Sequence, residues 1–128
     1  MHALLVFLFL FNLFTADESH PSTPVRVITD GFNCAEGIIV ADQIRELVAG
    51  DSLLKSYASG DSSYIVVEIT SFRDGETSVI NAAFAIVTPI QKNDLDYNFT
   101  RRLVSKTLDD MREISQNILE KIHLIRKS

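Results

Sequence analysis

The sequence contains few of the residues from which metal and catalytic sites are built. It has one cysteine, Cys34, and three histidines among 128 residues. A single cysteine excludes an intramolecular disulfide, and no pair of His or Cys residues has the spacing of a zinc site. The five glycines form no GxGxxG motif, and the acidic Asp30 and Glu36, next to Gly31 and Gly37, oppose phosphate. We therefore expect no metal, no cofactor and no nucleotide site.

Positive charge is also scarce. The chain has 12 Lys and Arg residues against 17 Asp and Glu residues, which gives a formal net charge of −5. A dedicated nucleic-acid binder needs a basic face that displaces counterions from phosphates, so we expect no nucleic-acid partner. Charged residues make up 23% of the chain, an ordinary value for a globular protein. The length leaves room for one domain.

The one long hydrophobic run lies at the N-terminus. Residues 3–14 are apolar apart from Asn12. This length suits the core of a signal peptide and falls short of the roughly twenty residues that span a bilayer. We predict that residues 1–16 are a signal peptide, that residues 17–24 are a linker and that residues 25–128 form one α+β domain, secreted or periplasmic. The alternative is an uncleaved apolar arm that packs on a membrane or on a partner.

The first half of the domain predicts one strand and one helix. Val25–Thr29 is rich in β-branched residues, which favours a strand. A helix is predicted over Ala35–Ala49, with Gly50 as its C-terminal cap and a further helical turn within Asp51–Ala58. The apolar stripe of this helix consists of Val40, Ala41, Ile44, Leu47 and Val48.

The clearest signal is a β-hairpin. Tyr64–Phe72 alternates between two faces, Asp74-Gly75 predicts a type I′ turn, and a return strand follows over Thr77–Thr88 until Pro89. The bulky residues of one face are Ile65, Val67, Ile69, Ile80, Phe84 and Ile86. Tyr64, Val66, Glu68 and Thr70 share the other face of the first strand.

A long helix is predicted from about Phe99 to Arg126. Its apolar stripe consists of Val104, Leu108, Met111, Ile118, Ile122 and Ile125. The resulting order is β-α-β-β-α. We predict a two-layer α+β sandwich in which two amphipathic helices cover one face of a small mixed sheet.

The other sheet face is more apolar than a solvated face should be. We interpret it as an interface with a protein partner or a second copy of the chain, although a further strand or the linker covering it is an equal alternative. The residues of this predicted interface are Tyr64, Val66, Val79, Ala83, Ala85 and Val87.

Three single residues complete the candidate sites. Cys34 is interpreted as a small buried residue, with a free thiol or an intermolecular bridge as the functional alternative. A cysteine-dependent enzyme that pairs Cys34 with His123 is the weakest hypothesis, so we expect no enzymatic activity. Asn98-Phe99-Thr100 is an N-glycosylation sequon, which matters only in a eukaryotic secretory pathway. Such short sequons often arise by chance, and helix capping by Asn98 or Thr100 is the favoured alternative.

The order of elements behind an apolar leader resembles that of small bacterial envelope domains, namely the penicillin-binding-protein activator lipoproteins and the N-terminal domain of the translocation protein TolB. The likeness covers residues 25–126 at the level of topology. The segment Asp30–Gly37, followed by an amphipathic helix, is also similar to uncharacterised exported bacterial proteins. The resemblance implies a sheet-and-helix module that presents a surface to partner proteins, and it carries over no functional residue.

The sequence thus predicts an exported, non-enzymatic domain that binds a protein partner or itself. A membrane partner is expected only through the leader, if the leader is uncleaved. The alternative function is a carrier of a small ligand or lipid, with a pocket between the sheet and the C-terminal helix near Phe84 and Met111.

Overall fold

The computed structural model describes residues 21–128, in which a six-stranded mixed sheet packs against two helices. The predicted signal peptide, residues 1–16, lies outside the described residues. The elements are β1 (Thr23–Ile28), α1 (Ala35–Ala49), β2 (Leu54–Ser56), β3 (Tyr64–Asp74), β4 (Thr77–Val87), β5 (Lys92–Asp94), β6 (Phe99–Leu103) and α2 (Leu108–Lys127). The predicted α+β class is confirmed.

Both kinds of strand pairing occur in the sheet. The strand order is β2-β1-β3-β4, and β1 is parallel to both β2 and β3, whereas β3 and β4 are antiparallel. The outer edge of β4 is shared by two short strands, since β5 pairs with residues 85–87 and β6 with residues 78–82. The edge strand is therefore interrupted at residues 95–98.

The hairpin between β3 and β4 forms where the sequence predicts it. Its register runs from Asp74 opposite Thr77 to Tyr64 opposite Val87. Gly75 has a φ of +63°, the left-handed conformation that a tight turn requires and that glycine adopts without strain. The register fixes which side chains of the two strands share a face.

Both helices pack on the same face of the sheet and bury a single apolar core. Ser115 in the middle of α2 donates a hydrogen bond to Gln43 of α1, so the helices also contact each other. No helix in the described part of the chain is long and apolar enough to cross a membrane. The core residues are Val25, Val40, Ala41, Ile44, Val48, Leu54, Ile65, Val67, Ile69, Ile80, Ala82, Phe84, Leu103, Met111, Ile114, Ile118, Ile122 and Ile125.

The start of the last helix was predicted wrongly. Phe99–Leu103 is a strand paired with β4, and α2 begins only at Leu108. Thr107 is the N-cap of α2, because its side-chain oxygen accepts a hydrogen bond from the Asp110 N–H. Val104, which the predicted stripe included, is 76% exposed in the connecting loop.

A second difference lies in the segment after α1. Gly50 is the C-cap of α1 as predicted, but no helical turn follows it. Asp51 accepts a hydrogen bond from the Leu53 N–H through its side chain, which turns the backbone into the short strand β2. Leu54–Ser56 then pairs with the first half of β1, and this pairing stabilises a strand in a segment whose local sequence favours a helix.

Two side chains satisfy carbonyls on the edge of β1, and just past its end, where β2 does not reach. Arg45 of α1 donates a hydrogen bond to the Val27 carbonyl at 3.1 Å, and Asn33 donates one to the Thr29 carbonyl at 3.0 Å. The carbonyls on this edge are therefore satisfied from within the chain.

Candidate functional site

The sheet has one face turned away from the helices, which we term the outer face. Along β3 and β4 it is built from directly opposed side chains, because residues paired across antiparallel strands share a face and alternate residues of each strand point to that face. The pairs are Tyr64–Val87, Val66–Ala85, Glu68–Ala83, Thr70–Asn81 and Phe72–Val79. All six residues of the predicted interface lie on it.

The six residues differ in exposure. Ala83 is exposed, and Tyr64 and Val87 are half-buried. Val66, Val79 and Ala85 are only 7%, 6% and 4% exposed. Both helices lie on the other side of the sheet, so neighbouring strands and loops account for this burial.

Longer side chains of the outer face flank these small buried residues. Val66 lies between Arg26 of β1 and Ala85 of β4, with Asp94 of β5 on the far side of Ala85. At the other end, Val79 lies between Phe72, which is 44% exposed, and Arg102 of β6. The outer face thus has apolar side chains at both ends and charged side chains along its margins.

An aromatic contact fixes the β1 side of the outer face. The ring centroids of Tyr57 and Tyr64 are 4.3 Å apart at an interplanar angle of 49°. The Arg26 guanidinium lies 5.2 Å from the centroid of the Tyr57 ring, within the range of a cation–π interaction. Sequence reasoning missed Arg26 and Tyr57, because only the observed strand pairing brings them to Tyr64.

The centre of the outer face is polar and concave. A hollow of about 370 Å³ lies over the gap between β5 and β6. It is lined by Glu68, Thr70, Asn81, Ala82, Ala83, Asn98, Phe99 and Thr100. The alternation of β3 indicated two of these residues, Glu68 and Thr70, but only the register with β4 and β6 adds Asn81 and Thr100 to them.

Cys34 is a free, buried thiol at the N-cap of α1. Its backbone N–H donates a hydrogen bond to Ser71 Oγ at 3.1 Å, and Ser71 Oγ donates one to Asn33 Oδ1 at 2.9 Å. These bonds attach the first turn of α1 to β3. The position agrees with the interpretation of Cys34 as a small buried residue.

A buried carboxylate, Glu36, lies in the same helical turn. Its Oε1 is 3.5 Å from Arg73 Nη2 and 3.6 Å from Lys106 Nζ. Burial opposes its ionisation, but its own backbone N–H and the two cations outweigh burial and hold the pKa of Glu36 below its ordinary value. Within residues 21–128 no group of three or more His, Cys, Asp or Glu side chains is placed to hold a metal ion.

Cys34 and His123 are not brought together. His123 Nε2 lies 2.6 Å from Asp51 Oδ2, just beyond the C-terminal end of α1. Cys34 precedes the same helix, whose 15 residues span about 22 Å. The geometry therefore provides no base for a Cys34 nucleophile from His123.

Asn98 lies in an exposed turn just before β6. Its backbone N–H donates to the Asp96 carbonyl at 3.1 Å. The interpretation of Asn98 or Thr100 as a helix cap is wrong, because α2 begins at Leu108 and is capped by Thr107. The sequon is thus accessible, and its Thr100 side chain lies on the outer face beside Asn81.

Comparisons of the chain with protein-family models, with curated proteins and with solved structures find no match.

Proposed function

We propose that this chain is an exported, non-enzymatic domain that associates with a second copy of itself through the outer face. The supporting observation is the one-sided cover of the sheet: both helices pack on the inner face, and the outer face bears apolar side chains at both ends. A sheet face that is exposed only to water normally carries polar residues, which alternate along each strand with the apolar residues of the buried face. An apolar face of this kind is typical of a protein-binding surface.

The shape of the outer face favours a second copy as the partner. At its apolar ends β3 carries the larger side chains, Tyr64 and Phe72, and β4 carries Val79, Ala85 and Val87. A two-fold axis along the strands, between β3 and β4, sets β3 of one copy over β4 of the other. Large side chains then face small ones on both sides of the axis, as a self-complementary interface requires.

The charges at the margins fit the same arrangement. Arg26 of β1 and Asp94 of β5 lie in one row across the sheet, on either side of Val66 and Ala85. The two-fold axis places Arg26 over the partner's Asp94 and repeats the pair by symmetry. Such pairs at the rim fix orientation more than they add affinity.

The structure offers less support for the alternative functions. Phe84 and Met111, which would line a carrier pocket, are only 2% and 3% exposed and pack into the core. A cysteine-dependent enzyme would need a base near Cys34, and His123 lies at the other end of α1. Binding of a different protein through the outer face is the remaining alternative, which the following experiment separates from self-association.

The test is sedimentation equilibrium of the mature chain over a wide range of concentration. We expect a monomer–dimer equilibrium that Ala83→Lys weakens at least tenfold, since the new side chain holds the two faces apart. Glu68, directly opposite Ala83, offers the lysine a partner within its own chain, so the fold is preserved. Ala49→Lys, at an exposed position at the end of α1 on the opposite side of the sheet, is the matched control and leaves the equilibrium unchanged. A chain that stays monomeric at every concentration overturns self-association.

A charge reversal tests the orientation. Asp94→Arg places two cations against each other in the proposed dimer, so it weakens association. The double variant Arg26→Asp with Asp94→Arg restores the pairing and recovers most of the affinity. A double variant that is weaker than both single variants contradicts this arrangement, because it shows that the two residues act independently.

A further inference from the structure

The centre of the outer face has hydrogen-bonding groups that the chain itself does not use. Within residues 21–128 the side chains of Glu68, Thr70 and Asn81 make no hydrogen bond, although all three are half-buried. Asn98 and Thr100 add a further amide and hydroxyl at the rim of the hollow. Their polar atoms are accessible to water, since within residues 21–128 only Glu36 Oε2 and Ser78 Oγ are fully buried side-chain atoms without a hydrogen-bond partner. A ligand that displaces this water must therefore match the same donors and acceptors.

The donors and acceptors select a class of ligand. Glu68 contributes a carboxylate that accepts, Thr70 and Thr100 contribute hydroxyls, and the amides of Asn81 and Asn98 both donate and accept. A carboxylate repels an anion, and one carboxylate alone makes a poor cation site. Adjacent hydroxyl groups of a sugar match this set, because each hydroxyl donates one hydrogen bond and accepts others. The volume of about 370 Å³ lies near the lower end of the range for small-ligand sites.

A second observation points to the same chemistry. The sequon Asn98-Phe99-Thr100 lies at the rim, and the structure removes the helix-capping explanation for it. In glycosylation the amide nitrogen of Asn98 forms a bond to C1 of the reducing-end sugar of a lipid-diphosphate-linked oligosaccharide. The bond from C1 to the diphosphate oxygen breaks, the amide loses one proton, and the lipid diphosphate leaves. A sugar attached there begins beside Asn81 and Ala83.

We propose that the hollow formed by Glu68, Thr70, Asn81 and Asn98 is a saccharide-binding site. The saccharide is either a glycan linked to Asn98 or a free sugar, and both place pyranose hydroxyls against Glu68 and Asn81. This site lies between the apolar ends of the outer face and is formed within a single chain, whereas the proposed self-association would cover it. Binding is therefore measured at concentrations where the chain is monomeric, so that failure of either proposal leaves the other testable.

The first arm tests the covalent source. Intact-mass analysis of the full chain from its native source shows whether a glycan is present, with Asn98→Gln as the variant that lacks it and Asn93→Gln as the matched control. Enzymatic removal of such a glycan is expected to shift the amide NMR signals of Glu68, Asn81 and Ala83. A glycan whose removal leaves these signals unchanged does not occupy the hollow and overturns the proposal.

The second arm applies when Asn98 is unmodified. The probes are the methyl glycosides of glucose, mannose and N-acetylglucosamine at millimolar concentration. We expect at least one of them to shift the same signals, and Glu68→Gln or Asn81→Leu to weaken this binding at least fivefold. Glu76→Gln, at the hairpin turn, leaves it unchanged. An unmodified chain that responds to none of the three glycosides, or whose response survives both variants, overturns the proposal.

Discussion

Gly37 of α1 and Ser71 of β3 lie so close together that no side chain fits between them. A Cβ atom on Gly37 would lie 1.9 Å from Ser71 Oγ and 2.6 Å from Ser71 Cβ. The same Ser71 hydroxyl accepts the hydrogen bond from the Cys34 N–H. The absence of a side chain at position 37 therefore allows the first turn of α1 to pack directly on the sheet.

We predict that Gly37→Ala destabilises the domain. Overpacking costs about 1–3 kcal/mol, and the gain in helix propensity of about 1 kcal/mol offsets only part of it if the backbone must move. The expected net loss in the free energy of unfolding is about 1–2 kcal/mol, measured by urea denaturation. Gly60→Ala is the control, because no atom lies within 4 Å of its added Cβ. Equal stability of the two variants would contradict the close contact.

A second prediction concerns the buried polar contact between the helices. Ser115 Oγ lies 2.7 Å from Gln43 Oε1, and Gln43 Nε2 donates to the Leu108 carbonyl at 3.4 Å. Ser115→Ala leaves the Gln43 oxygen without this partner and is expected to cost about 1–3 kcal/mol. The double variant Ser115→Ala with Gln43→Leu should cost less than the sum of the single variants, because both polar partners are removed. A double-mutant cycle in urea measures this coupling, and strict additivity would refute it.

A third prediction follows from the contact between Asp51 and His123. Burial opposes the ionisation of Asp51, but the Leu53 N–H, His123 and Arg126 together lower its pKa below the ordinary value of 3.8. A carboxyl with a lowered pKa in the folded state contributes stability above its unfolded pKa and loses it as the pH falls through the folded pKa.

Asp51→Asn is therefore expected to be less stable than the unmodified chain at about pH 5, and the difference should shrink towards about pH 2. Urea denaturation at several pH values measures it. Asp30→Asn is the control, since Asp30 is exposed and makes no side-chain hydrogen bond within the described ranges. A difference that stays constant over this interval would show that Asp51 stabilises the fold without its charge.

A fourth prediction tests the start of α2. Thr107 Oγ1 accepts a hydrogen bond from the Asp110 N–H and donates one to Asp110 Oδ2. Thr107→Ala is expected to cost about 1 kcal/mol, whereas Thr107→Ser keeps the cap. The Thr107 hydroxyl is also the main cause of the lowered pKa of Asp110, so this pKa should rise in Thr107→Ala. An NMR titration of Asp110 that is the same in both variants would argue against the cap.

The hairpin was predictable because two independent signals agree. Tyr64–Phe72 alternates with period two, and Asp74-Gly75 supplies the turn that fixes the register. This register sets the inner and outer faces, so the predicted interface residues could be assigned to one surface without coordinates. Their burial could not, since it depends on neighbours such as Arg26 and Asp94 in strands that the pattern does not show.

The missed elements have local reasons. β2 and β5 have three residues each, which is too short for an alternating pattern to be recognised. β6 was mistaken for helix because Val104 and Leu108 continue the helical spacing of Met111. The spacing of Thr107 and Asp110 is a capping signal that marks the true start of α2.

The interrupted margins of the sheet limit how copies of this chain can assemble. At one edge of the sheet, β2 has only three residues, and Arg45 covers the part of β1 beyond it. At the opposite edge, the gap at residues 95–98 separates β5 from β6. An incoming strand finds no continuous ladder on either side, which discourages open-ended, fibre-like growth. Contact through the outer face, by contrast, uses the same surface on both copies, so a dimer leaves no such surface free for a third copy.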